Sequence, residues 1–247
     1  MVSMKIEMPE PAFRKLIPTL NKQGFMSEVL DYFSEKFVDY SAVIKEKVLD
    51  IGCAYGVATL AALEKGGEVV ACDMDERHIE ILKEKTSEQY KDQLETIVGI
   101  LPMIDCMENS FGAILCSRVV HFMLGNDVEL SVAKMYHWLK PAGRLFLTVD
   151  TPYTGFWFEE ATTYERKKGA GHKWPGLIED VSILFSDGKV PEGIPKFINP
   201  MDDDVLKRVC EDAGFIVEEK SFFDRRGVEV DGRQHAGVIA VKPAHSR

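Results

Sequence analysis

Short apolar runs recur along the chain and are separated by segments with helical spacing. Four of them read as buried strands, at Val48–Ile51, Glu68–Asp73, Ala113–Cys116 and Leu145–Asp150. Amphipathic helices are predicted at residues 76–85, 128–139 and 202–213, and Gly214 stands where a left-handed helix stop is expected. Strands that alternate with helices indicate a parallel sheet covered by helices, so the pattern predicts the α/β class.

The N-terminal segment carries a different pattern. Residues 13–43 show helical spacing of apolar positions, which predicts one or two helices packed over the mouth of the domain. Core packing explains most of their aromatic residues. The alternative is that one aromatic, with Phe25 and Tyr32 as candidates, covers a bound ligand, and the sequence does not choose between the two.

Composition is that of an ordinary globular chain. The 247 residues are 45% hydrophobic and 28% charged, which suits one large α/β domain. No apolar run approaches the roughly 20 residues of a membrane-spanning helix. The first twenty residues mix acidic and basic side chains with prolines, which suits neither a signal peptide nor an anchor. We therefore expect a cytoplasmic protein without membrane contact.

Charge and cysteine content argue against other kinds of partner. A formal net charge of −10 disfavours sustained contact with nucleic acid, whose affinity comes largely from Lys and Arg. The five cysteines are odd in number and contain no C-x-x-C pair, so neither a zinc site nor a disulfide framework is indicated. We expect buried, reduced thiols and no metal site.

The segment Val48–Leu60 carries the most informative chemistry. A buried strand is followed by small residues and then by a helix, an arrangement that leaves unpaired backbone N–H groups for a ligand. The alternative is an ordinary tight turn between a strand and a helix. A nicotinamide fingerprint requires glycines where Ala54 and Val57 stand, counted from Gly52. Asp50 is a poor neighbour for a pyrophosphate and a good one for an ammonium group. The turn therefore predicts a ligand with an amine, and S-adenosylmethionine fits.

The same segment resembles the D-x-G-x-G-x-G first motif of class I S-adenosylmethionine-dependent methyltransferases. Asp50, Gly52 and Gly56 match the motif, while Ala54 replaces its middle glycine. Alanine adds only a methyl group, so we expect cofactor binding to survive. The resemblance implies a Rossmann-like, mostly parallel seven-stranded sheet with helices on both faces and an antiparallel last strand, residues 215–222 and 236–241 being its last two strands.

A second stretch, residues 99–114, is similar to the G-D-A-x-x-L-P-F-x-D-N-S-F-D-A-I segment of small-molecule methyltransferases related to the ubiquinone-pathway enzymes. Ile100 and Gly112 stand where that segment has aspartates. Adenine recognition must then rest on backbone groups near Ile100 and Leu101, together with apolar packing against the ring.

Asp73 ends the second buried strand, 73 − 50 = 23 positions after Asp50. A carboxylate at this place meets the ribose hydroxyls in nucleoside-binding α/β sheets, since each oxygen accepts a hydroxyl proton. Asp75 is better explained as the N-cap of the next helix. With the resemblance, the expected cofactor-binding residues are Asp50, Gly52, Cys53, Ala54, Gly56, Asp73, Met74, Ile100, Leu101, Ser117 and Arg118.

His121 follows the fourth strand, on the loop that begins at Ser117 and passes the reacting end of the cofactor. Histidine titrates near neutrality, so His121 is a candidate general base. The alternative is a hydrogen-bonded structural residue at the head of the next helix.

The segment Thr151–Pro200 is longer than the short helix that members of the resembled family often have between these elements. Loops at the carboxyl ends of strands border the crevice of an open α/β sheet, which favours a lid over a surface insertion with its own small core. A basic patch at residues 166–173 would suit an acidic group on a planar or partly apolar acceptor. The candidates for an aromatic wall against that acceptor are Tyr153, Trp157, Tyr164 and Trp174.

One domain accounts for the whole chain, with a helical cap (1–47), a cofactor-binding core (48–150), the insertion or lid (151–200) and the end of the core sheet (201–247). The expected function is methyl transfer from S-adenosylmethionine to an O, N or C atom of a small organic acceptor. A catalytically silent sensor or scaffold is one alternative. A protein or RNA methyltransferase is another, although the loop after the fourth strand lacks an [N/D]-P-P-[Y/F] motif. The oligomeric state stays open.

Overall fold

The computed structural model describes residues 6–12, 16–191, 193–227 and 230–244, with the backbone alone at residue 156. Its strands are β1 (Leu16–Pro18), β2 (Phe25–Ser27), β3 (Val48–Ile51), β4 (Val69–Asp73), β5 (Leu94–Val98), β6 (Phe111–Ser117), β7 (Leu139–Asp150), β8 (Ile216–Phe223) and β9 (His235–Val241). Its α-helices are α1 (Tyr32–Ser41), α2 (Val57–Glu64), α3 (Glu76–Lys85), α4 (Gly125–Trp138), α5 (Ala161–Gly169) and α6 (Asp203–Asp212). Short 3₁₀ turns lie at Glu88–Gln93, Val120–Phe122, Gly155–Glu160 and Val181–Leu184.

The central sheet has seven strands in the order β5-β4-β3-β6-β7-β9-β8. The neighbouring strands from β5 to β7 run parallel, and β9 lies antiparallel to both β7 and β8. The predicted fold class is therefore confirmed, including the antiparallel last strand. The strand order reverses between β3 and β6, and the carboxyl ends of these two strands border a crevice.

Helices cover both faces of the sheet, so its central strands are buried on both faces. All four residues of β3 are buried, as are all five of β4. Leu49 belongs to the hydrophobic cluster that includes α4 and α6, whereas Val48 belongs to the cluster that includes α1 and α2. Strands buried on both faces read as continuous apolar runs, which is why they are visible in the sequence.

The N-terminal cap differs from its prediction. Residues 32–41 are helical, but β1 and β2 pair as an antiparallel hairpin, and residues 13–15 lie outside the described part of the chain. Pro18 lacks the N–H that a helix would need, and Lys22 and Gly24 take positive φ angles of 58° and 151° in the connecting turn. Ile17 is completely buried in a cluster with Met26 and residues of the turn after β3. The helical prediction is therefore wrong for the hairpin.

The insertion between β7 and α6 holds α5, two of the 3₁₀ turns and an isolated antiparallel bridge between Ile178 and Ile198. It contains a small hydrophobic cluster around Trp157, Val181 and Ile198. Within the described residues, no helix combines the length and apolar character that a membrane crossing would require.

Candidate active site

A cavity opens at the carboxyl ends of β3, β4 and β6. It encloses about 500 Å³, which lies in the range of small-molecule sites. Its wall combines the turn after β3, the end of β4, the loop after β5 and the end of β6, and the hairpin with the start of α1 closes another side. The cavity thus occupies the point of strand reversal at which open α/β sheets bind ligands.

The turn after β3 is held by its own hydrogen bonds. The backbone N–H groups of Gly52 and Cys53 donate to the carbonyl of Cys72 over 2.8 and 3.0 Å. The N–H of Ala54 donates to Oδ2 of Asp73 over 2.9 Å. For these three residues, the expectation of unpaired N–H groups facing the crevice is wrong. A ligand would instead contact the backbone and the short side chains of this turn.

The two glycines of the turn have packing roles. Gly52 and Gly56 have φ angles of 71° and 84°, which favour glycine. A Cβ at Gly52 would collide with the side chain of Val119, and one at Gly56 would collide with Leu82. Gly52 lines the cavity and Gly56 does not. Ala54 also has a positive φ, 45°, in a conformation that costs a non-glycine residue about 1 kcal/mol.

Asp50 is a buried carboxylate on the cavity wall, only 3% exposed. Its Oδ2 accepts a hydrogen bond of 2.7 Å from the hydroxyl of Thr59. Burial raises the pKa of Asp50 to about 6, the Thr59 hydrogen bond lowers it, and nearby Asp73 raises it further. A cationic ligand group beside Asp50 would stabilise the charged form, as expected for a partner of an ammonium group.

Asp73 anchors three parts of the site. It accepts hydrogen bonds of 2.9 Å from the N–H groups of Ala54 and Asp75. The Nδ1–H of His78 donates to its Oδ1 over 2.9 Å, because the Nε2 of His78 accepts from the backbone N–H of Leu20. A carboxylate has about four lone-pair sites, so Asp73 retains capacity for a ribose hydroxyl. The Asp75 side chain instead caps α3 by accepting from the N–H of Arg77.

The loop after β5 forms the wall next to Asp73. The N–H of Gly99 donates to the carbonyl of Asp73 over 2.9 Å, which holds the loop against β4. Ile100 and Met74 are 45% and 42% exposed and line the cavity together with buried Leu101. The loop therefore offers apolar surface to a planar base. The carbonyl of Ile100 accepts from residues 103 and 104, so it is already engaged in this loop.

Ser117 and Arg118 end β6 on the opposite side of the cavity. The Ser117 hydroxyl lies 3.0 Å from Oγ1 of Thr148 and 3.5 Å from Oδ2 of Asp31. Arg118 has a φ of 56°, and its N–H donates to the carbonyl of Thr148 over 2.8 Å. Of the expected cofactor-binding residues, the structure brings all but Gly56 to the lining of this one cavity.

His121 does not reach that wall. Its ring is 1% exposed, lies outside the cavity lining, and its Nδ1 accepts from the backbone N–H of Asp150 over 3.3 Å. Burial lowers the pKa of His121 to about 4, although the Asp150 carboxylate raises it. Burial alone would raise the pKa of Asp150, but His121 and His235 hold it below its ordinary range. The geometry is that of the structural alternative, and it argues against a general base.

The four aromatic candidates of the insertion also lie away from the cavity lining. Trp157 is 7% exposed and its indole N–H donates to the carbonyl of Thr151. Tyr164 is 2% exposed, and Trp174 packs against the main core beneath Arg208. Tyr153 lies under the guanidinium of Arg233 at 3.5 Å. The structure therefore uses these rings for packing, and the aromatic wall comes from other residues.

The basic patch is likewise absent from the cavity lining. Lys168 pairs with Asp202 and Asp204, and Lys173 pairs with Glu129. These pairings remove the argument for an acidic acceptor.

Several residues that line the cavity are not among those expected from the sequence. Asp31 caps α1, and the pattern of an aspartate directly before an apolar helical run could have located it. No sequence signal places His78, Phe122 or Phe197 on the wall, because tertiary packing brings each of them there. Of the two aromatic candidates in the N-terminal segment, Phe25 lines the cavity and Tyr32 does not.

The cavity fits S-adenosylmethionine on two structural observations. Asp73 lies next to an apolar loop, which matches a ribose that carries a planar base. The lining also holds the carboxylates of Asp31, Asp50, Asp73 and Asp127 against one guanidinium, Arg118, among the described residues. An excess of negative charge suits a sulfonium cation.

Comparison with known proteins finds similarity to one family. Residues 48–143 match the sequence profile of a family described as a methyltransferase domain. A carboxy-S-adenosyl-L-methionine synthase from Shewanella loihica is 28% identical over 117 residues, which are 45% of this chain and 47% of that protein. The chain therefore spans less than half the length of that relative.

Longer matches cover most of the chain. A ubiquinone biosynthesis O-methyltransferase from Idiomarina loihiensis is 23% identical over 183 residues, 71% of this chain and 74% of that protein. A crystal structure described as a SAM-dependent methyltransferase from Methanosarcina mazei superposes with a TM-score of 0.62 at 15% identity and covers 84% of this chain and 98% of that one. The structural match supports the fold.

Proposed function

We propose that the chain is a class I S-adenosylmethionine-dependent methyltransferase that transfers a methyl group to an O, N or C atom of a small organic acceptor. One observation carries the proposal. The expected nucleoside and amino-acid contacts line a single cavity whose remaining wall is available to a second molecule.

We assign the residues of the cofactor half as follows. The apolar loop at Ile100 and Leu101 holds the adenine, and Asp73 accepts hydrogen bonds from the ribose. Asp50 holds the ammonium of the amino-acid part, and the loop that begins at Ser117 passes the reacting end of the cofactor. The bound cofactor supplies a methyl group already activated by its sulfonium, so the protein mainly has to position the acceptor and exclude water.

The acceptor half of the cavity is mostly apolar. The insertion contributes Phe197 to it, which supports a role as a lid through this residue rather than through its buried aromatics. A wall of this kind suits a small, partly planar molecule. Its apolar members include Phe25, Val29, Leu30, Phe122, Leu124 and Phe197.

The surroundings of the cysteines support a further proposal. The five cysteines of the chain are free, and four of them are buried. Reduced thiols persist in the cytoplasm, so we propose a cytoplasmic site of action.

Calorimetric titration tests the cofactor proposal. We expect S-adenosylmethionine and S-adenosylhomocysteine to bind and NAD to show no heat of binding. NAD binding without S-adenosylmethionine binding would overturn the assignment.

Release of S-adenosylhomocysteine in the presence of a library of small amines, phenols, thiols and carbon acids tests turnover. Release that depends on a library member supports the enzyme. Tight cofactor binding without release across the whole library would instead favour the silent sensor.

A further inference from the structure

We propose that Asp31 selects a neutral nitrogen nucleophile as the methyl acceptor, by stabilising the positive charge that develops on that nitrogen. This inference rests on the proposed function, because it takes the cavity to be the methyl-transfer site. It narrows the acceptor from any O, N or C atom to a primary or secondary amine.

The position of Asp31 places it at the donor end of the cofactor. Asp73 and the loop after β5 bind the nucleoside at one end of the cavity, so the amino-acid and sulfonium part extends toward the end of β6. Oδ2 of Asp31 lies 3.5 Å from the Ser117 hydroxyl at that end. Asp31 therefore faces the half of the cavity in which an acceptor meets the methyl group.

One oxygen of Asp31 remains available. Oδ1 caps α1 by accepting the N–H of Ser34 over 2.8 Å. Among the residues that the structure describes, Oδ2 has only the long contact with Ser117, although Asp31 is 8% exposed and lines the cavity. A buried carboxylate oxygen with so weak a partner gains most from a cationic hydrogen-bond donor.

The rest of this half offers little positive charge. Asp127, in the first turn of α4, lines the same cavity. The cationic side chain of the described lining, Arg118, also acts on half-buried Asp150, whose pKa it helps His121 and His235 to lower. An anionic acceptor would therefore lose hydration and meet two carboxylates, which is costly in a partly buried site.

Methylation of nitrogen moves charge in the direction that this site favours. The nitrogen lone pair forms the new N–C bond, while the C–S bond breaks and leaves its electron pair on sulfur. Positive charge thus passes from sulfur to nitrogen, and the N–H proton stays on the product ammonium, hydrogen-bonded to Oδ2 of Asp31. Methylation of an oxyanion would consume negative charge next to the carboxylates, so the site would destabilise its reactive form.

Sinefungin provides the test without knowledge of the acceptor. In this analogue, a carbon that bears an ammonium group replaces the sulfonium and its methyl group. S-adenosylhomocysteine shares the nucleoside and amino-acid parts but lacks this ammonium. The difference between the two dissociation constants therefore reports the interaction of a cationic nitrogen with its surroundings at the transfer position.

The variant is Asp31→Asn, because asparagine caps a helix as well as aspartate does and should preserve α1. Asp39→Asn serves as the matched control, since Asp39 lies on the same helix and pairs with Lys65 on the surface. We expect Asp31→Asn to weaken sinefungin binding by about 10- to 100-fold and S-adenosylhomocysteine binding by less than about 2-fold. Asp39→Asn should change neither, and both variants should keep the wild-type melting temperature within about 3 °C.

Other outcomes would overturn the inference. Equal losses for both ligands would mean that Asp31 holds the ammonium of the cofactor's amino-acid part. Unchanged binding of both would reduce Asp31 to a helix cap. A wild-type protein that binds neither ligand would refute the proposed function itself, which is a separate result.

Discussion

Replacing Asp73 with alanine should affect both the fold and the cofactor site. In the structure, three donors converge on this carboxylate, each at 2.9 Å: two backbone N–H groups and the Nδ1–H of His78. A buried donor without an acceptor costs about 1–3 kcal/mol. Because Asp73 borders the cavity, water can replace part of the carboxylate, and we expect a loss of unfolding free energy near the lower limit of the sum, about 3 kcal/mol.

A loss of this size leaves the protein folded, since domains are typically stable by about 5–15 kcal/mol. For a chain of this length it should lower the melting temperature by about 6–12 °C. Cofactor affinity should fall as well, because the ribose loses a charged acceptor worth about 1.5–3 kcal/mol, or roughly 10- to 150-fold. Differential scanning calorimetry and titration with S-adenosylhomocysteine measure the two effects separately.

Asp75→Asn is the matched control. Asparagine keeps the N-cap of α3, and Asp75 makes its hydrogen bonds with Arg77 outside the turn after β3. We expect near wild-type melting and affinity. The reasoning about Asp73 would be refuted by an Asp73→Ala variant that melts and binds S-adenosylhomocysteine like the control. A loss of affinity in Asp75→Asn would move the ribose contact to Asp75.

Three further predictions follow from the site and its supports. The pKa of His121, lowered by burial to about 4, favours its neutral form in the folded state, so its contribution to stability is complete above about pH 6.5 and is lost as the pH falls through 4. Urea unfolding should show that the free energy of unfolding falls less between pH 7 and pH 5 in His121→Gln than in wild type. The affinity for S-adenosylhomocysteine should stay unchanged in this variant. A large loss of affinity would restore His121 to the site. Burial raises the pKa of Asp50 to about 6, so S-adenosylmethionine affinity should rise with pH through 6 in wild type and stay constant in Asp50→Asn. Titration at four pH values measures this difference. Parallel pH profiles of affinity in the two proteins would exclude Asp50 as the ammonium partner. Gly56→Ala should lose about 2–4 kcal/mol of unfolding free energy, because the new Cβ would collide with Leu82. Gly66→Ala is the control, since Gly66 has a similar φ of 89° with open space around it, and it should lose about 1 kcal/mol. Equal losses in chemical denaturation would show that the φ angle alone explains the glycine at position 56.

The apolar pattern of the chain is enough to predict the sheet and the residues that border its crevice. Central parallel strands are buried on both faces, so β3, β4 and β6 appear as apolar runs that can be recognised from their own residues alone. The residues at their carboxyl ends follow directly in the chain. Asp50, Asp73 and Ser117 could therefore be placed at one crevice before any tertiary contact was known.

Tertiary contacts, in contrast, bring the remaining side chains to the cavity lining. Asp31, Phe122 and Phe197 are far apart in the chain, and each depends on how a loop or helix start packs over the sheet. The aromatics of the insertion and the hairpin at β1 were misplaced for the same reason, because a large apolar side chain looks alike in a core, on a helix and on a pocket wall. Periodicity records that a residue is buried, whereas the direction in which it is buried is set by contacts between distant segments.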